Sequence, residues 1–345
     1  MKNNYITLIV FILIMMCSCA RNEYKHLLTF DNDNPIEVDL EQMDYVLLNN
    51  VGSIDRVDCS LDRLIILASN KLLLVNKDGS MPRYVSSLGR AKEEYLGIWD
   101  AGFMNNKVYI YDLSGGKILF FDKNGDYLYS KILSRTPLDN PFQLFIKLDS
   151  LDYIGRCSYC GLEGYPELAL YDKNFSFIKY IDEKMTLNSG LKIGFPFCST
   201  SRSSVLYNRY FDNEVYEITK DSAFVRYKID FGRYNFKRKE SKSDYDIIES
   251  LRNSKQDYAT LISNMEEIEN DYFAFAFLFP NSRRIGLYKM KSNKGEVISF
   301  KCREDEVLAY VKTFDFVIYA LTQTENGITR LYKIPLSGIM KSANL

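Results

Sequence analysis

Four residues of the segment 87–99 carry side chains suited to ligand recognition. They are Arg90, Glu94, Tyr95 and Trp99. An arginine donates forked hydrogen bonds, a carboxylate accepts them, and aromatic rings offer stacking surfaces. We predict that these four residues form a ligand-binding group. The alternative is that Arg90 and Glu94 pair to brace the loop while Trp99 packs in the core.

Histidine occurs only once in the chain, as His26. Ser-His-Asp and Cys-His mechanisms need a base of suitable pKa beside the nucleophile. His26 lies near the N-terminus, outside the repeats described below, so these mechanisms are disfavoured. We therefore predict no catalytic residue, and no turnover that depends on histidine or cysteine.

The cysteines indicate neither a zinc centre nor a disulfide framework. Cys157 and Cys160 have the C-x-x-C spacing of zinc and redox sites. A structural zinc needs four ligands, however, and neither a second C-x-x-C nor a pair of histidines is present. We predict no metal site and no cofactor, and we interpret the pair as buried thiols or a local disulfide.

A hairpin signal at residues 117–132 identifies the elements that must position these side chains. Its sequence, KILFFDKNGDYLYSKI, places an Asn-Gly turn between two runs of β-forming residues. Related phrases recur at 72–85, 168–181, 214–229, 286–300 and 330–338.

Six such hairpins predict an all-β fold, a six-bladed β-propeller with four short strands in each blade. Between Lys77 and Lys123 there are 46 residues, and between Lys123 and Lys173 there are 50. From Lys220 to Lys294 the gap is 74 residues, so the sequence predicts an insertion between blades four and five.

The insertion, at about 237–264, has a helical pattern. Ser243 can cap a helix that we predict to run to Asn264 and to pack against the propeller. Its apolar face would contain Ile248, Leu251, Tyr258 and Ile262.

The last blade lacks a strand, because only seven residues follow Gly338. One of two early strand candidates, at 36–40 or 45–48, is predicted to complete it. Such a strand closes the ring and removes two exposed edges.

The N-terminal segment resembles a lipoprotein signal. A charged Lys2 precedes an apolar run of about eleven residues, which is too short to span a bilayer as a helix. Ser18 before Cys19 is compatible with lipidation of Cys19. We predict a signal peptide at 1–18, a mobile tether at 19–35 and the propeller at 36–345. An uncleaved anchor helix is the alternative.

The charge balance argues against a nucleic-acid partner. The formal net charge is −1 and the isoelectric point is near 6.1. Proteins that neutralise several phosphates normally carry a visible basic excess.

The chain resembles the bacterial six-bladed β-propeller lipoproteins, relatives of NHL-type propellers. The resemblance rests on the lipobox-like residues 16–19, on DYVLLNN at 44–50, on Gly89-Arg90 with Glu94-Tyr95, and on VYIYD and ILFFDKNGDYL of blade two. The family usually has a longer, Gly- and Pro-rich loop where this chain has Ala91-Lys92-Glu93. The resemblance implies a propeller that is lipid-anchored in the cell envelope at the outer membrane.

Two functions are compatible with the sequence. The first is a monomeric binding or scaffold module for a glycan, a peptide or an envelope protein. The second is a metal-assisted hydrolase or lactonase with carboxylates at the channel of the propeller. Three or more acidic or Asn side chains converging on the channel mouth would favour the second, and a plugged or apolar channel the first.

Overall fold

The computed structural model describes residues 26–133, 142–157, 165–182, 185–187, 194–238, 243–269, 271–280 and 282–342. Three strands precede the first blade: β1 (His26–Thr29), β2 (Ile36–Asp39) and β3 (Tyr45–Leu48).

Six antiparallel sheets form the blades of a propeller, as predicted. Blade 1 contains β4 (Ile54–Cys59), β5 (Arg63–Ala68), β6 (Lys71–Asn76) and β7 (Arg83–Tyr84). Blade 2 contains β8 (Asp100–Met104), β9 (Lys107–Asp112), β10 (Lys117–Phe121) and β11 (Tyr127–Ile132). Blade 3 contains β12 (Phe142–Lys147), β13 (Asp152–Cys157), β15 (Leu168–Asp172) and β16 (Phe177–Tyr180), and the short strands β14 (Tyr165–Pro166) and β17 (Thr186–Leu187) pair beside it.

Blades 4, 5 and 6 form the second half of the ring. Blade 4 contains β18 (Phe197–Ser199), β19 (Val205–Asn208), β20 (Glu214–Ile218) and β21 (Ala223–Asp230). Blade 5 contains β22 (Thr260–Ile268), β23 (Tyr272–Phe279), β24 (Ser282–Lys289) and β25 (Lys294–Lys301). Blade 6 contains β26 (Glu306–Phe314), β27 (Val317–Thr324) and β28 (Thr329–Pro335), followed by the C-terminal helix.

The ring closes through strand β3. Leu48 pairs with Thr329 and Tyr45 with Tyr332, so β3 is the outermost strand of blade 6. The inner strands β4, β8, β12, β18, β22 and β26 each contact the next around the ring, and β26 contacts β4. Closure by the second of the two candidate strands is thus confirmed, and it covers the edge of β28.

The predicted tether is wrong for residues 26–35. Strand β1 pairs in parallel with β21, which extends blade 4 to five strands. Phe30 is 3% exposed and lies in the core between blades 4 and 5. Arg284 Nη1 donates to Asn32 Oδ1 at 2.7 Å. Strand pairing and the burial of Phe30 hold this segment in place although its composition is mostly polar. Residues 19–25 of the predicted tether lie outside the described residues.

Strand β2 supports blade 5 in the same way. It pairs in parallel with β25, from Ile36 opposite Ile298 to Asp39 opposite Lys301. The segment 26–48 therefore covers the outer edges of blades 4, 5 and 6 in turn. Unpaired strand edges invite pairing with other chains, so this belt removes three such edges.

The helix of the insertion is shorter than predicted. It is α1 (Asp244–Arg252), and the Ser243 side chain caps it by accepting from Asp246 N. The predicted continuation to Asn264 is wrong, because β22 begins at Thr260 and pairs with β23. Pairing and burial in blade 5 outweigh a weak helical periodicity there.

The helix packs against the propeller, as predicted. Its buried contact is Ile247, which the sequence analysis did not single out, and Ile247 lies against Tyr210 and Phe211. Ile248 and Leu251 are partly buried in the same cluster. A second helix, α2 (Leu336–Ser342), ends the described chain. Within the described residues, neither helix has the length and apolar character needed to cross a bilayer.

The turn chemistry of the hairpins is repeated from blade to blade. Asp122 accepts hydrogen bonds from the backbone N–H groups of Asn124 and Asp126 at 2.8 and 2.9 Å. Asp172 does the same for residues 174 and 176, both at 2.8 Å. Gly125 has φ +86°, a conformation that strongly favours glycine, which explains the Asn-Gly signal.

Candidate functional site

The ends of the six inner strands enclose a cavity of about 420 Å³ in the central channel. Each inner strand begins at the face that carries the connections between blades, here named the connecting face, and ends at the opposite face. The lining comes from the last residues of these strands, so the cavity lies toward the opposite face. We name it the channel pocket. Small-molecule sites typically have volumes of about 300–1,000 Å³.

Arg56 and Phe195 form the floor of the channel pocket. The guanidinium carbon of Arg56 lies 3.6 Å from the centre of the Phe195 ring. The two residues are 5% and 7% exposed. Residues at the start of neighbouring inner strands, such as Asp100 and Gln143, are also buried. The channel is therefore closed toward the connecting face and open toward the opposite face.

A buried ion pair holds Arg56 in place. Its Nη1 donates to Asp100 Oδ1 at 2.5 Å and to the Tyr109 hydroxyl at 3.2 Å. The Tyr109 hydroxyl in turn donates to Asp100 Oδ2 at 2.8 Å. Burial alone would lower the pKa of Arg56, but Asp100, Tyr109 and Asp58 together outweigh it and the pKa lies above its ordinary value. Arg56 is thus a fixed cation.

Asp58 and Lys312 form a second ion pair on the pocket wall. Lys312 Nζ donates to Asp58 Oδ1 at 2.8 Å, and Phe103 N donates to Asp58 Oδ2 at 2.9 Å. Burial opposes the charge of both groups, yet the pKa of Asp58 is lowered and that of Lys312 is raised. Attraction between the two side chains contributes to both shifts, and Arg56 adds to the lowering of the Asp58 pKa. This pair stays charged at neutral pH.

Two adjacent glutamates of β22 line the same pocket. Glu267 Oε1 accepts from the Tyr227 hydroxyl at 2.7 Å and lies 3.1 Å from Arg226 Nη2. Among the described residues, the hydrogen bond that Glu266 Oε1 accepts comes from a backbone group, Asp315 N at 3.0 Å. Burial raises the pKa of Glu266. Of the two carboxylates, Glu266 is the less well compensated.

Lys147 stands at the end of β12 on another wall. Its Nζ donates to Asn105 Oδ1 at 2.6 Å, a neutral partner from blade 2. Both residues line the channel pocket. Within the described part of the chain, no carboxylate lies within salt-bridge distance of Lys147.

The remaining lining is mainly apolar. Six of its side chains are Phe103, Met104, Phe145, Phe197, Met265 and Phe314. Two thiols, Cys59 and Cys198, also lie there. Burial raises the pKa of Cys198 to about 12 and raises that of Cys59 as well. Since the thiolate is the reactive form, neither thiol is an activated nucleophile at neutral pH.

The described residues contain no group of three or more His, Cys, Asp or Glu side chains placed to share one metal ion. The channel acids Asp58 and Glu267 are instead engaged by Lys312 and Arg226. Four acidic or Asn side chains nonetheless line the channel pocket, namely Asp58, Asn105, Glu266 and Glu267. Their number meets the criterion stated for the hydrolase alternative, but the described residues do not gather three acids around one metal position.

The group predicted from the sequence lies on the connection between blades 1 and 2. Glu94 braces this connection by accepting hydrogen bonds from Ala91 N at 2.8 Å and from Ser87 Oγ at 3.3 Å. Tyr95 is 3% exposed, and its hydroxyl donates to Asn70 O at 3.0 Å.

Trp99 and Arg90 differ in their surroundings. Trp99 is half-buried against the core between blades 2 and 3, and its backbone N–H donates to Tyr111 O at 2.8 Å. Arg90 is exposed. Because β8 starts at Asp100 and its end lines the channel pocket, this group and the pocket lie at different ends of that strand. A ligand-binding role for the four residues stays a prediction.

The other singled-out residues lie away from the pocket. His26 is exposed in β1 at the outer edge of blade 4, with its ring 6.1 Å from that of Tyr227. Cys157 is a buried free thiol, whereas Cys160 lies outside the described residues. Cys19 also lies outside them.

Sequence comparison places the chain in a family. A model of the family described as Domain of unknown function (DUF4934) matches residues 37–340, nearly the whole propeller. The chain belongs to this family. No curated protein matches the DUF4934 chain.

Solved structures similar to the DUF4934 chain have the same fold. One, a Bacteroides fragilis protein described as exported, is 17% identical, with a TM-score of 0.65 over 90% of this chain and 99% of that one. Another, a DUF4221 family member from Bacteroides vulgatus, is 9% identical, with a TM-score of 0.54 over 87% and 94% of the two chains. The predicted resemblance to six-bladed propellers is confirmed for the fold.

The sequence analysis missed the charged residues of the channel pocket. Arg56 and Asp58 stand two apart in the strand IDRVDC, and Lys312 interrupts the apolar strand containing LAYVKTF. Residues two apart in a strand share a face. Charges on one face of an otherwise apolar inner strand are the signal from which the channel could have been predicted in this DUF4934 chain.

Proposed function

We propose that this protein is a non-catalytic binding module of the cell envelope that holds a small ligand, or the end of a larger one, in the channel pocket. The observation that carries the proposal is the pocket itself, which all six blades line and which is closed at its base by Arg56 and Phe195. Concave, largely apolar sites with a few fixed polar groups are typical of ligand binding.

The chemistry of the lining supports binding rather than turnover. Its ion pairs are already formed before a ligand enters, and its thiols are protonated at neutral pH. A preorganised set of charges lowers the cost of ordering on binding. The hydrolase alternative would need a water activated by a metal ion and the channel carboxylates. Burial raises the pKa of one of these, Glu266, but no three of the described acids are placed to share a metal ion.

The location follows from the N-terminal residues. We propose that Cys19 is lipidated after removal of residues 1–18 and that the lipid holds the protein at the outer membrane. The description of the similar Bacteroides fragilis protein as exported agrees with an envelope location. The channel pocket would then face the aqueous compartment.

The connecting face offers a second contact. Arg90, Glu94, Tyr95 and Trp99 lie there, and exposed Arg90 is the member of the group that a glycan, peptide or envelope protein could reach directly. We propose that the protein is a monomer. We also propose that it has no nucleic-acid partner, in keeping with its net charge of −1.

A thermal-shift and calorimetry screen of the full protein against amino acids, peptides, oligosaccharides and divalent cations tests the proposal. Ser199→Trp should abolish any shift by filling the mouth of the pocket, whereas Lys123→Trp, in an exposed turn of blade 2, should not. Ligands that bind both variants equally well would refute the pocket as the site. Turnover that chelators abolish and that maps to the channel carboxylates would establish the hydrolase instead.

A further inference from the structure

Two opposite charges of the channel pocket, Lys147 and Glu266, lie in no ion pair among the residues that the structure describes. Lys147 Nζ donates to the neutral amide of Asn105. The Glu266 carboxylate accepts from the backbone of Asp315, and its Oε2 has no hydrogen-bond partner among the described residues. By contrast, Arg56, Asp58, Glu267 and Lys312 all lie in ion pairs.

The positions of Lys147 and Glu266 allow one molecule to reach both. Lys147 ends the inner strand of blade 3, and Glu266 lies near the end of the inner strand of blade 5. Only the inner strand of blade 4 stands between them, and it contributes Phe197 and Ser199 to the same cavity. The two charges are therefore walls of one small enclosed space.

We propose that the channel pocket binds a small zwitterion of the amino-acid or short-peptide type, with its ammonium group at Glu266, its carboxylate at Lys147 and an apolar side chain over the floor. This inference rests on the proposed binding function and specifies its ligand.

The chemistry of the pocket favours this ligand class over a neutral sugar. A carboxylate has about four lone-pair sites, and one backbone N–H leaves most of those of Glu266 unused. A sugar would bring hydroxyl groups but no counter-charge for either residue. An ammonium group supplies three donors and a positive charge, and charge-assisted hydrogen bonds are about twice as strong as neutral ones.

The floor and walls suit an apolar side chain. Phe195 lies under the Arg56 guanidinium, and Phe145 and Phe197 line the walls above it. An aromatic side chain gains both area burial and ring contacts in such surroundings. The dipeptide alanyl-phenylalanine therefore serves as the probe.

Calorimetry with the full protein tests each charge separately. Three probes are compared: alanyl-phenylalanine, its N-acetyl derivative and its C-terminal amide. Glu266→Gln should weaken the free dipeptide about tenfold or more, the scale of one hydrogen bond to a charged group. It should leave the already weak N-acetyl derivative unchanged. Lys147→Met should likewise weaken binding of the free dipeptide, and it should leave the affinity of the C-terminal amide unchanged.

Matched controls separate these effects from general changes in charge. Glu304→Gln and Lys123→Met alter exposed residues outside the channel pocket and should leave all three affinities unchanged. Circular dichroism at the temperature of the titration shows whether each variant is folded. A folded Glu266→Gln that binds the free dipeptide as tightly as the wild type would overturn the inference.

Failure of the inference is distinguishable from failure of the binding function. If an oligosaccharide binds and Ser199→Trp blocks it while no peptide binds, the zwitterion is wrong and the pocket function stands. If none of the amino acids, peptides or oligosaccharides binds in a manner that Ser199→Trp abolishes, both are wrong.

Discussion

The Arg56 guanidinium lies 3.6 Å above the phenyl ring of Phe195. Blade 1 therefore contacts the segment that leads into blade 4 across the centre of the propeller. In a six-bladed ring these blades are opposite each other. A cation over an aromatic face is attracted by the ring quadrupole, more strongly where both are shielded from water. This contact forms the floor of the channel pocket.

Arg56→Met should destabilise the protein by about 3–5 kcal/mol. The substitution leaves Asp100, which is fully buried, without its cation, and uncompensated buried charges have costs of this size. Arg83→Met is the control, because its pair with Asp126 is 52% and 64% exposed and such pairs contribute about 0–1 kcal/mol. Urea denaturation compares the two variants. Equal destabilisation of both would contradict the role given to Arg56.

Asp58→Asn should also destabilise the protein, by about 3 kcal/mol at pH 7, because it strands the buried Lys312 ammonium. The pKa of Asp58 is lowered below 3.8 in the folded state, so its contribution is present above pH 3.8 and is lost as pH falls through the folded value. The pKa of Lys312 is raised above 10.5 in the folded state, so its contribution is present below pH 10.5 and is lost as pH rises from there through the folded value.

The measurement is the unfolding free energy of the wild type and Asp58→Asn at pH 3, 5, 7 and 9. We expect a constant difference from pH 5 to pH 9 and a smaller one at pH 3. A difference that grows on acidification would show that the pair is not ionised in the native protein.

Glu266→Gln should raise the melting temperature at pH 7 while it weakens ligand binding. Burial raises the pKa of Glu266 above its ordinary value of about 4.5, so the folded protein holds the proton more tightly than the unfolded chain. Ionisation therefore lowers stability as pH rises from about 4.5 through the folded pKa. The charged groups that face Glu266 are Lys312, Asp315 and Lys77. The pKa of Glu266 remains above its ordinary value although both lysines lower it.

Thermal melts at pH 4 and pH 7 test this expectation. The variant should gain stability relative to the wild type at pH 7 and gain less at pH 4, where the wild-type carboxyl is protonated. A gain that is equal at both pH values would point to packing rather than to ionisation as its cause.

The repeat predicted the fold because hairpin chemistry is local. Asp122, Asn124 and Gly125 determine one turn through contacts within five residues, and the blade period follows from the recurrence of such turns. The helix prediction was wrong past Arg252 because Tyr258 and Ile262 were assigned to one face across a gap of seven residues. Only pairing with the next strand, β23, shows that Ile262 belongs to a strand.

The site could not be predicted to the same extent, because six distant segments build it. Glu266 looks like a surface acid in the sequence, and Lys147 like an ordinary strand-end lysine. Their shared position arises only when the ring closes. The segment 87–99 was noticeable because its aromatic and charged residues lie close together in the sequence, yet Glu94 and Tyr95 serve largely to hold that connection.

Cys19→Ser should abolish lipid attachment and release the protein from the membrane fraction. Ser18 before Cys19 and the short apolar run before them favour processing at this position. Mass spectrometry of the mature wild-type N-terminus should find acylated Cys19, and Cys17→Ser should be acylated normally. An intact Met1, or a free N-terminus elsewhere, would disprove the anchor.

Phe30→Ala should destabilise the propeller by about 3–5 kcal/mol, the usual cost of removing a buried phenylalanine. The ring of Phe30 lies 5.2 Å from that of Phe275 and 5.7 Å from that of Tyr288, so its loss opens a cavity beside blade 5. Leu27→Ala is the control, because Leu27 is 55% exposed in the same strand region and should change stability by less than about 0.5 kcal/mol. Denaturant melts of the two variants measure the difference. If Phe30→Ala is as harmless as Leu27→Ala, the segment before β2 behaves as the loose tether that the sequence suggested and does not belong to the folded belt.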